Sequence, residues 1–407
     1  MKALTYAAAA LLLTVACTGL RDSGIRRSSP GRQGMNARYL DLIDSTVNAS
    51  IEEGDIPGAV VGVVRNGTLV FEKAYGLKSV YPEEVPMTVK TMFDLASLSK
   101  CVGTTLSIMQ LVEHGKLRLV DTVGRYIPGF RPWVDPVTGE KVPIRVQDLL
   151  THSSGLDAYI NDMDGYLEEF GPLTPDSLMT VISTRIPRNF KPGSDVLYSC
   201  LNFITLQHIL ERITGERLCD YTQKHVFDAM GLKHTCYFPF GENSDLKRFV
   251  APTTVLPDGS VMCGEVHDPI ARVINGGNSG NAGVFSNVED LAVICAALLA
   301  DGSYNGRRVL SPLTVKRMFT MPPANDPKVD RVLGWDCYHL EPYTCGDIFD
   351  LQQLRGHTGF TGTSIILDLE TRTAVIILAH RVHPQADGSA SRLRSTVASI
   401  VAASIGR

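Results

Sequence analysis

The chain has 407 residues, of which 44% are apolar and 20% charged, and its formal net charge is −4. That length holds one large domain or two that share a core, since single cores stop growing at roughly 250–300 residues. The charge balance excludes the basic surface that nucleic acid requires and the polybasic footprint of a lipid-surface binder.

Met1–Lys2 is followed by an apolar Ala/Leu-rich run from Ala3 to Ala16 and then Cys17. A charged start and a short apolar segment read as a secretory signal peptide, too short to span a bilayer comfortably. Its end, L-T-V-A-C, resembles a bacterial lipobox, in which the Cys is lipidated and becomes the new N-terminus; Thr14 stands where Leu is commoner. The expectation is an exported, periplasmic or outer-membrane-tethered lipoprotein of a Gram-negative bacterium, anchored through Cys17 and otherwise outside the membrane.

Residues 18–34 are rich in Arg, Ser and Gly and read as a flexible tether. A helix follows, with Leu40, Ile43, Val47 and Ile51 on one face and Gly54 as its stop. Next, A-V-V-G-V-V-R and T-L-V-F-E-K-A-Y flank Asn66-Gly67, a strong hairpin signal. From Ser97 to about Ala300 the apolar period is mostly helical, as in Leu98–His114, Leu201–Thr214 and Val288–Leu299. β-rich runs return at Ser364–Leu367 and Ala374–Leu378, and a last helix covers about Ser391 to Ile405. The pattern predicts an α/β (α+β) fold: an antiparallel sheet built from both ends of the chain, flanked by helices, with a mainly helical lobe inserted. The expected division is 1–17 signal peptide, 18–34 tether, 35–95 with 300–407 as the sheet lobe, and 96–299 as the helical lobe. Among the cysteines, Cys337 and Cys345 flank a short polar segment and suit a bridge in an oxidising compartment.

Ser97-Leu98-Ser99-Lys100 is the first chemical candidate. On a helix Ser97 and Lys100 share a face one turn apart. A serine hydroxyl needs a base to become a nucleophile, and a lysine serves as one only when its pKa falls from about 10.4. The spacing alone is weak, because Ser244-Asp245-Leu246-Lys247 matches it in a polar stretch without an apolar stripe. Two further segments add context. Tyr198-Ser199-Cys200 precedes the Leu201–Thr214 helix, and Gly356-His357-Thr358-Gly359 reads as opening a strand from Phe360 to Leu367. No G-x-S-x-G, H-E-x-x-H, P-loop or zinc spacing is present, so no metal or cofactor is expected.

In order along the chain stand F-D-L-A-S-L-S-K, I-R-V-Q-D-L-L-T-H-S-S-G-L, K-P-G-S-D-V-L-Y-S-C-L-N-F, G-N-A-G-V-F-S-N-V-E-D-L-A and G-H-T-G-F-T-G-T-S. Together they resemble the serine β-lactamase and penicillin-binding-protein clan, in the branch of class C β-lactamases, DD-peptidases and related esterases and acyltransferases. The resemblance implies an acyl-enzyme on Ser97, with Lys100 keeping the serine proton mobile. It makes Tyr198 the general base or acid, its phenolate favoured by nearby cations. It implies an oxyanion hole from the backbone N–H groups of Ser97 and Phe360. Cys200, Asn202, His357, Thr358 and Gly359 would face a small-molecule acyl substrate.

Two positions depart from that pattern. Cys200 stands where the second motif usually has Asn, and a thiol is a weak donor and acceptor; Asn202, two residues on, is a candidate substitute. His357 stands where β-lactamases commonly have Lys, and a neutral imidazole holds a carboxylate less well. Both changes point to esters or unusual acyl groups over β-lactams. Hydrolysis, transfer of the acyl group to an alcohol or amine, DD-peptidase action and a catalytically silent binding protein remain open from sequence. Val266-His267-Asp268-Pro269 reads as a structural turn and His152 as packing behind the cleft.

Overall fold

The computed structural model describes residues 24–237, 244–320, 331–337 and 345–406. The signal peptide, Cys17 and the first part of the expected tether lie outside the described residues. Helix α1 (Leu42–Glu52) precedes strands β1 (Gly58–Arg65), β2 (Thr68–Ser79) and β3 (Val85–Pro86). The middle of the chain carries α2 (Leu106–Glu113), α3 (Cys200–Thr214) and α4 (Val288–Leu299). Strands β4 (Arg331–Val332), β5 (Trp335–Cys337), β6 (Leu354–Thr358), β7 (Ser364–Asp368) and β8 (Thr373–Ala379) follow, and α5 (Ser391–Ser404) comes last. The eight strands form one sheet in the order β4-β5-β6-β7-β8-β1-β2-β3, and each neighbouring pair is antiparallel. The joint between the two ends of the chain is β1 on β8, with Val61 opposite Ile377.

The sheet is apolar on both faces, and the period of two explains how. Val60, Val64, Ile376 and Leu378 join the core shared with the helices of the inserted region. Val61, Val63, Val375 and Ile377 join the second core, under α1 and α5. Helix α4, which the sequence placed in the helical lobe, packs on β1 and β8 instead. Its residues are almost all buried, and Gly62 lets it approach: a Cβ there would overlap Val288 Cγ1.

Three sequence expectations change. Residues 24–34 are not a loose tether. Ile25 is buried, Leu69 exchanges backbone hydrogen bonds with Arg26 and Ser28, and Arg27 pairs with Glu72 at 2.8 Å. One buried isoleucine and a short backbone ladder outweigh the loop-like composition. Gly356–Gly359 closes a strand rather than opening one: β6 ends at Thr358, and Phe360 sits in the turn to β7. Cys345 carries an unbridged buried thiol whose Sγ lies 3.7 Å from Gly346 O, so the expected bridge to Cys337 is absent.

Gly62→Ala should lower stability by about 1–3 kcal/mol, the usual range for overpacking. Urea unfolding checks it; an unchanged midpoint would mean that Val288 yields without cost.

Candidate active site

The nucleophile segment leaves the short strand Phe93–Asp94 and turns sharply into a helix. Ala96 sits at φ +46°, a conformation a non-glycine residue seldom adopts. The turn lifts Ser97 to the wall of a cavity of about 670 Å³. Lys100 follows one turn later, with no exposed surface, at the start of a π-helical stretch (Lys100–Thr105) that runs into α2. Its ammonium donates to Ser97 Oγ at 3.0 Å and to Asn281 O at 2.9 Å, and lies 3.5 Å from Cys200 Sγ. The helical spacing therefore does place serine and lysine together.

Tyr198 reaches the same cavity from the loop before α3. Its ring stacks on His152 at 4.4 Å between centroids, and the Lys100 ammonium lies 5.0 Å from its ring centre. The phenol faces Lys100 and Ser97, although its oxygen stops short of strict hydrogen-bond geometry with either. His152 accepts from Ser199 N at 2.9 Å and props the tyrosine from behind, as the sequence reading expected.

The proton inventory differs from the expectation. Burial pushes the Tyr198 phenol up to about 12, against the pull of the Lys100 ammonium, so burial outweighs the nearby cation. Burial pulls Lys100 down, but Cys200, Tyr198 and Asp268 together hold it above its usual value. Burial also raises the Cys200 thiol, again against Lys100. At neutral pH the resting cluster is an ammonium, a phenol and a thiol. In that resting form neither Lys100 nor Tyr198 is a base, and one of them must give up a proton before it can accept another.

The amides of Ser97 and Phe360 have no acceptor among the described residues, and both residues line the cavity. The turn carrying Phe360 is fastened to the nucleophile segment. Thr361 Oγ1 donates to Asp94 O at 2.8 Å, Thr363 Oγ1 donates to Leu95 O at 3.1 Å, and a Cβ on Gly359 would overlap Leu95 O. Two amides held in this way can bind an oxygen that develops negative charge.

The expected substrate-facing residues divide. Cys200, His357 and Thr358 line the cavity. Gly359 packs against Leu95 behind it. Asn202 is fully buried away from it: Oδ1 accepts from Ser154 Oγ at 2.6 Å, and Nδ2 lies 3.3 Å from His152 Nδ1. Two residues along a helix is about 200° of rotation, so Asn202 cannot share the face of Cys200. Sequence reasoning missed Tyr159, Arg331 and Asp336 on the cavity wall; His267 and Asp268, which the resemblance puts near the rim of the cleft and which read as a structural turn, are also wall residues. Arg331 and Asp336 are cross-strand partners that form an ion pair. Arg331 and Asp336 lie outside every motif, so only three-dimensional neighbourhood reveals them. No group of His, Cys, Asp and Glu among the described residues could hold a metal.

A serine beside a buried lysine, under two free amides in a cavity, defines a serine-hydrolase type of site. A family model described as Beta-lactamase matches residues 43–398, and the chain belongs to that family. It is 31% identical over 377 residues to the N-acetylmuramyl-L-alanine amidase of Bacillus subtilis strain 168, covering 86% of this chain and 82% of the relative. It is also 31% identical over 409 residues to an Escherichia coli K12 protein that carries the provisional name D-alanyl-D-alanine carboxypeptidase, covering 92% and 91%. Among solved structures, EstCE1, a hydrolase with promiscuous acyltransferase activity, shares the fold with a TM-score of 0.70 and 22% identity, covering 90% of this chain and 99% of that one.

His357 gives a clean titration test. Burial lowers its imidazole to about 4, against Asp336, whose Oδ1 lies 4.0 Å from Nε2. Nδ1–H donates to Thr358 O at 2.8 Å, which leaves the lone pair on Nε2. A depressed histidine contributes stability that is complete above its unfolded value near 6.5 and is lost as pH falls toward the folded value. The ring nitrogen shifts in NMR should be flat from about pH 5.5 to 8 and move near pH 4. A midpoint above 6 would show that Asp336 keeps the ring charged.

Proposed function

We propose that this protein is an exported serine hydrolase that forms an acyl-enzyme on Ser97 and cleaves ester or amide bonds of small acyl donors. The observation that carries the reading is the buried Lys100 ammonium 3.0 Å from Ser97 Oγ at the wall of the cavity. The substrate carbonyl oxygen would sit between the Ser97 and Phe360 amides. As Ser97 Oγ attacks the carbonyl carbon, its proton passes to the Lys100–Tyr198 pair, which returns it to the leaving oxygen or nitrogen. Water then takes the leaving group's place and attacks the acyl carbon, giving its proton to the same pair, which passes it to Ser97 Oγ as the acyl–oxygen bond breaks and the acid leaves. The cavity is large enough to admit an alcohol or amine in place of water, which would make the outcome acyl transfer.

Two peptidoglycan-directed names among relatives of near-full coverage support an amide or D-alanyl peptide bond as the natural target. They also support export, in line with the N-terminal leader; lipidation at Cys17 belongs to the same proposal. The cavity wall argues against efficient β-lactam recognition. Arg331 is its cationic side chain among the described residues, and it is engaged by Asp336, while His357 is neutral. A substrate carboxylate finds no unengaged cation on that wall.

A fluorophosphonate probe should label the wild-type chain and not Ser97→Ala. Turnover of phenyl acetate, which carries no carboxylate, should exceed that of benzylpenicillin by at least about tenfold in kcat/KM, the factor that about 1.4 kcal/mol of lost carboxylate binding gives. Labelling that survives in Ser97→Ala would overturn the acyl-enzyme reading. Efficient penicillin hydrolysis would overturn the specificity argument alone.

A further inference from the structure

Asp94 lies three residues before the nucleophile and is 1% exposed. Its Oδ1 accepts from Ala96 N at 2.8 Å, inside the strained turn, and its Oδ2 accepts from His267 N at 2.7 Å, on the loop that forms another wall of the cavity. Its backbone oxygen accepts from Thr361 Oγ1. The His267 ring stacks on Phe360 at 5.6 Å, and Phe360 carries the free amide of the turn. The three segments thus close a ring of contacts through one buried carboxylate: nucleophile turn, His267 loop and Phe360 turn.

We propose that Asp94 is a positioning residue that holds Ser97 and the Phe360 amide at a fixed separation through this ring, and that it does so only while ionised. A carboxylate offers an acceptor to both amides at once; a carboxylic acid or an amide side chain presents one good acceptor and turns a donor or a weaker acceptor toward the other N–H. Protonation therefore loosens one of the two ties and lets the strained Ala96 turn relax. This inference rests on the acyl-enzyme reading above.

The electrostatics agree with the geometry. Burial raises the Asp94 carboxyl to about 6; the Ala96 and His267 amides pull it down, Asp268 raises it and Arg272 lowers it. His267, Asp268 and Arg272 are the titratable or charged groups facing it from the His267 loop; the Phe360 turn, residues 359–363, offers none. Burial also lowers the His267 imidazole, so that ring is neutral at pH 7. A raised carboxyl means that the folded chain holds more protons than the unfolded one between about pH 6 and 4. The ionised Asp94 thus opposes folding at pH 7, and that destabilisation fades as pH falls through the window. A residue kept only for stability would have the opposite sign.

The test is the rate of Ser97 labelling by a fluorophosphonate between pH 5 and 9, on the full chain, with thermal melting alongside. The wild-type log rate should show an added downward break near pH 6. Asp94→Asn should lose that break, label at least tenfold more slowly at pH 8, and melt no lower at pH 7. Thr361→Val, which cuts a different tie in the ring, should slow labelling yet keep the break. A folded Asp94→Asn that retains both the wild-type rate and the break would overturn the inference while leaving the labelled Ser97 intact. Absence of Ser97 labelling at every pH would instead remove the acyl-enzyme reading, and this inference with it. Should Asp94→Asn fail to fold, carboxyl-carbon NMR of Asp94 in the wild type supplies the answer: its midpoint must coincide with the labelling break, and a gap above one pH unit would overturn the proposal.

Discussion

A charge with no exposed surface is the constraint around which the site is organised. Burying an ammonium costs several kcal/mol unless each of its donors finds a partner. Lys100 has three such donors, and they meet Ser97 Oγ, the carbonyl of Asn281 and the sulfur of Cys200. Those partners come from the lysine's own helical turn, from a loop some 180 residues later and from the first residue of α3. Removing any one leaves part of a buried cation unsatisfied, so the convergence of these segments follows from the lysine as much as from the apolar core. The same ammonium bears on the protons beside Ser97, since it pulls the Tyr198 phenol and the Cys200 thiol down against the effect of burial.

That dependence explains why part of the site was legible in the sequence. Ser97 and Lys100 sit at a helical spacing, and periodicity predicts their proximity without any knowledge of the fold. Tyr198 and His357 are fixed by motifs whose order along the chain mirrors the sheet and its insertion. Asn281 acts through its backbone carbonyl, which leaves no residue signature in a sequence. Arg331 and Asp336 depend on cross-strand pairing at a sheet edge, which no local pattern encodes. Asn202 failed for the reverse reason: nearness in sequence to Cys200 suggested nearness in function, but helix rotation sends its amide to Ser154 and His152.

The fold divides similarly. The first hairpin strand before Asn66-Gly67 and the runs Ser364–Leu367 and Ala374–Leu378 are continuous apolar, β-branched runs because both sheet faces are covered, and such runs bounded by turn signals read directly. The place of α4 did not read, because it turns on Gly62 admitting Val288, a contact across more than 200 residues. Residues 24–34 carry loop-like composition, and Ile25, the Arg27–Glu72 ion pair and a few backbone bonds tie them to β2.

The departure at His357 takes on a different meaning beside these contacts. From sequence it is a lost charge. In the fold the position is 3% exposed, and Lys100 and Arg331 both bear on it with like charge. Asp336, the one carboxylate 4.0 Å from Nε2, already holds Arg331. A lysine at 357 would set a third cation against a single engaged carboxylate, with burial adding its own penalty to the charged form. A histidine resolves that conflict by shedding its proton, and its Nδ1–H bond to Thr358 O keeps the ring oriented while neutral. The cation of this wall stands on the sheet-edge strand β4, where a cross-strand aspartate holds it, and a neutral imidazole at 357 is the side chain compatible with that arrangement.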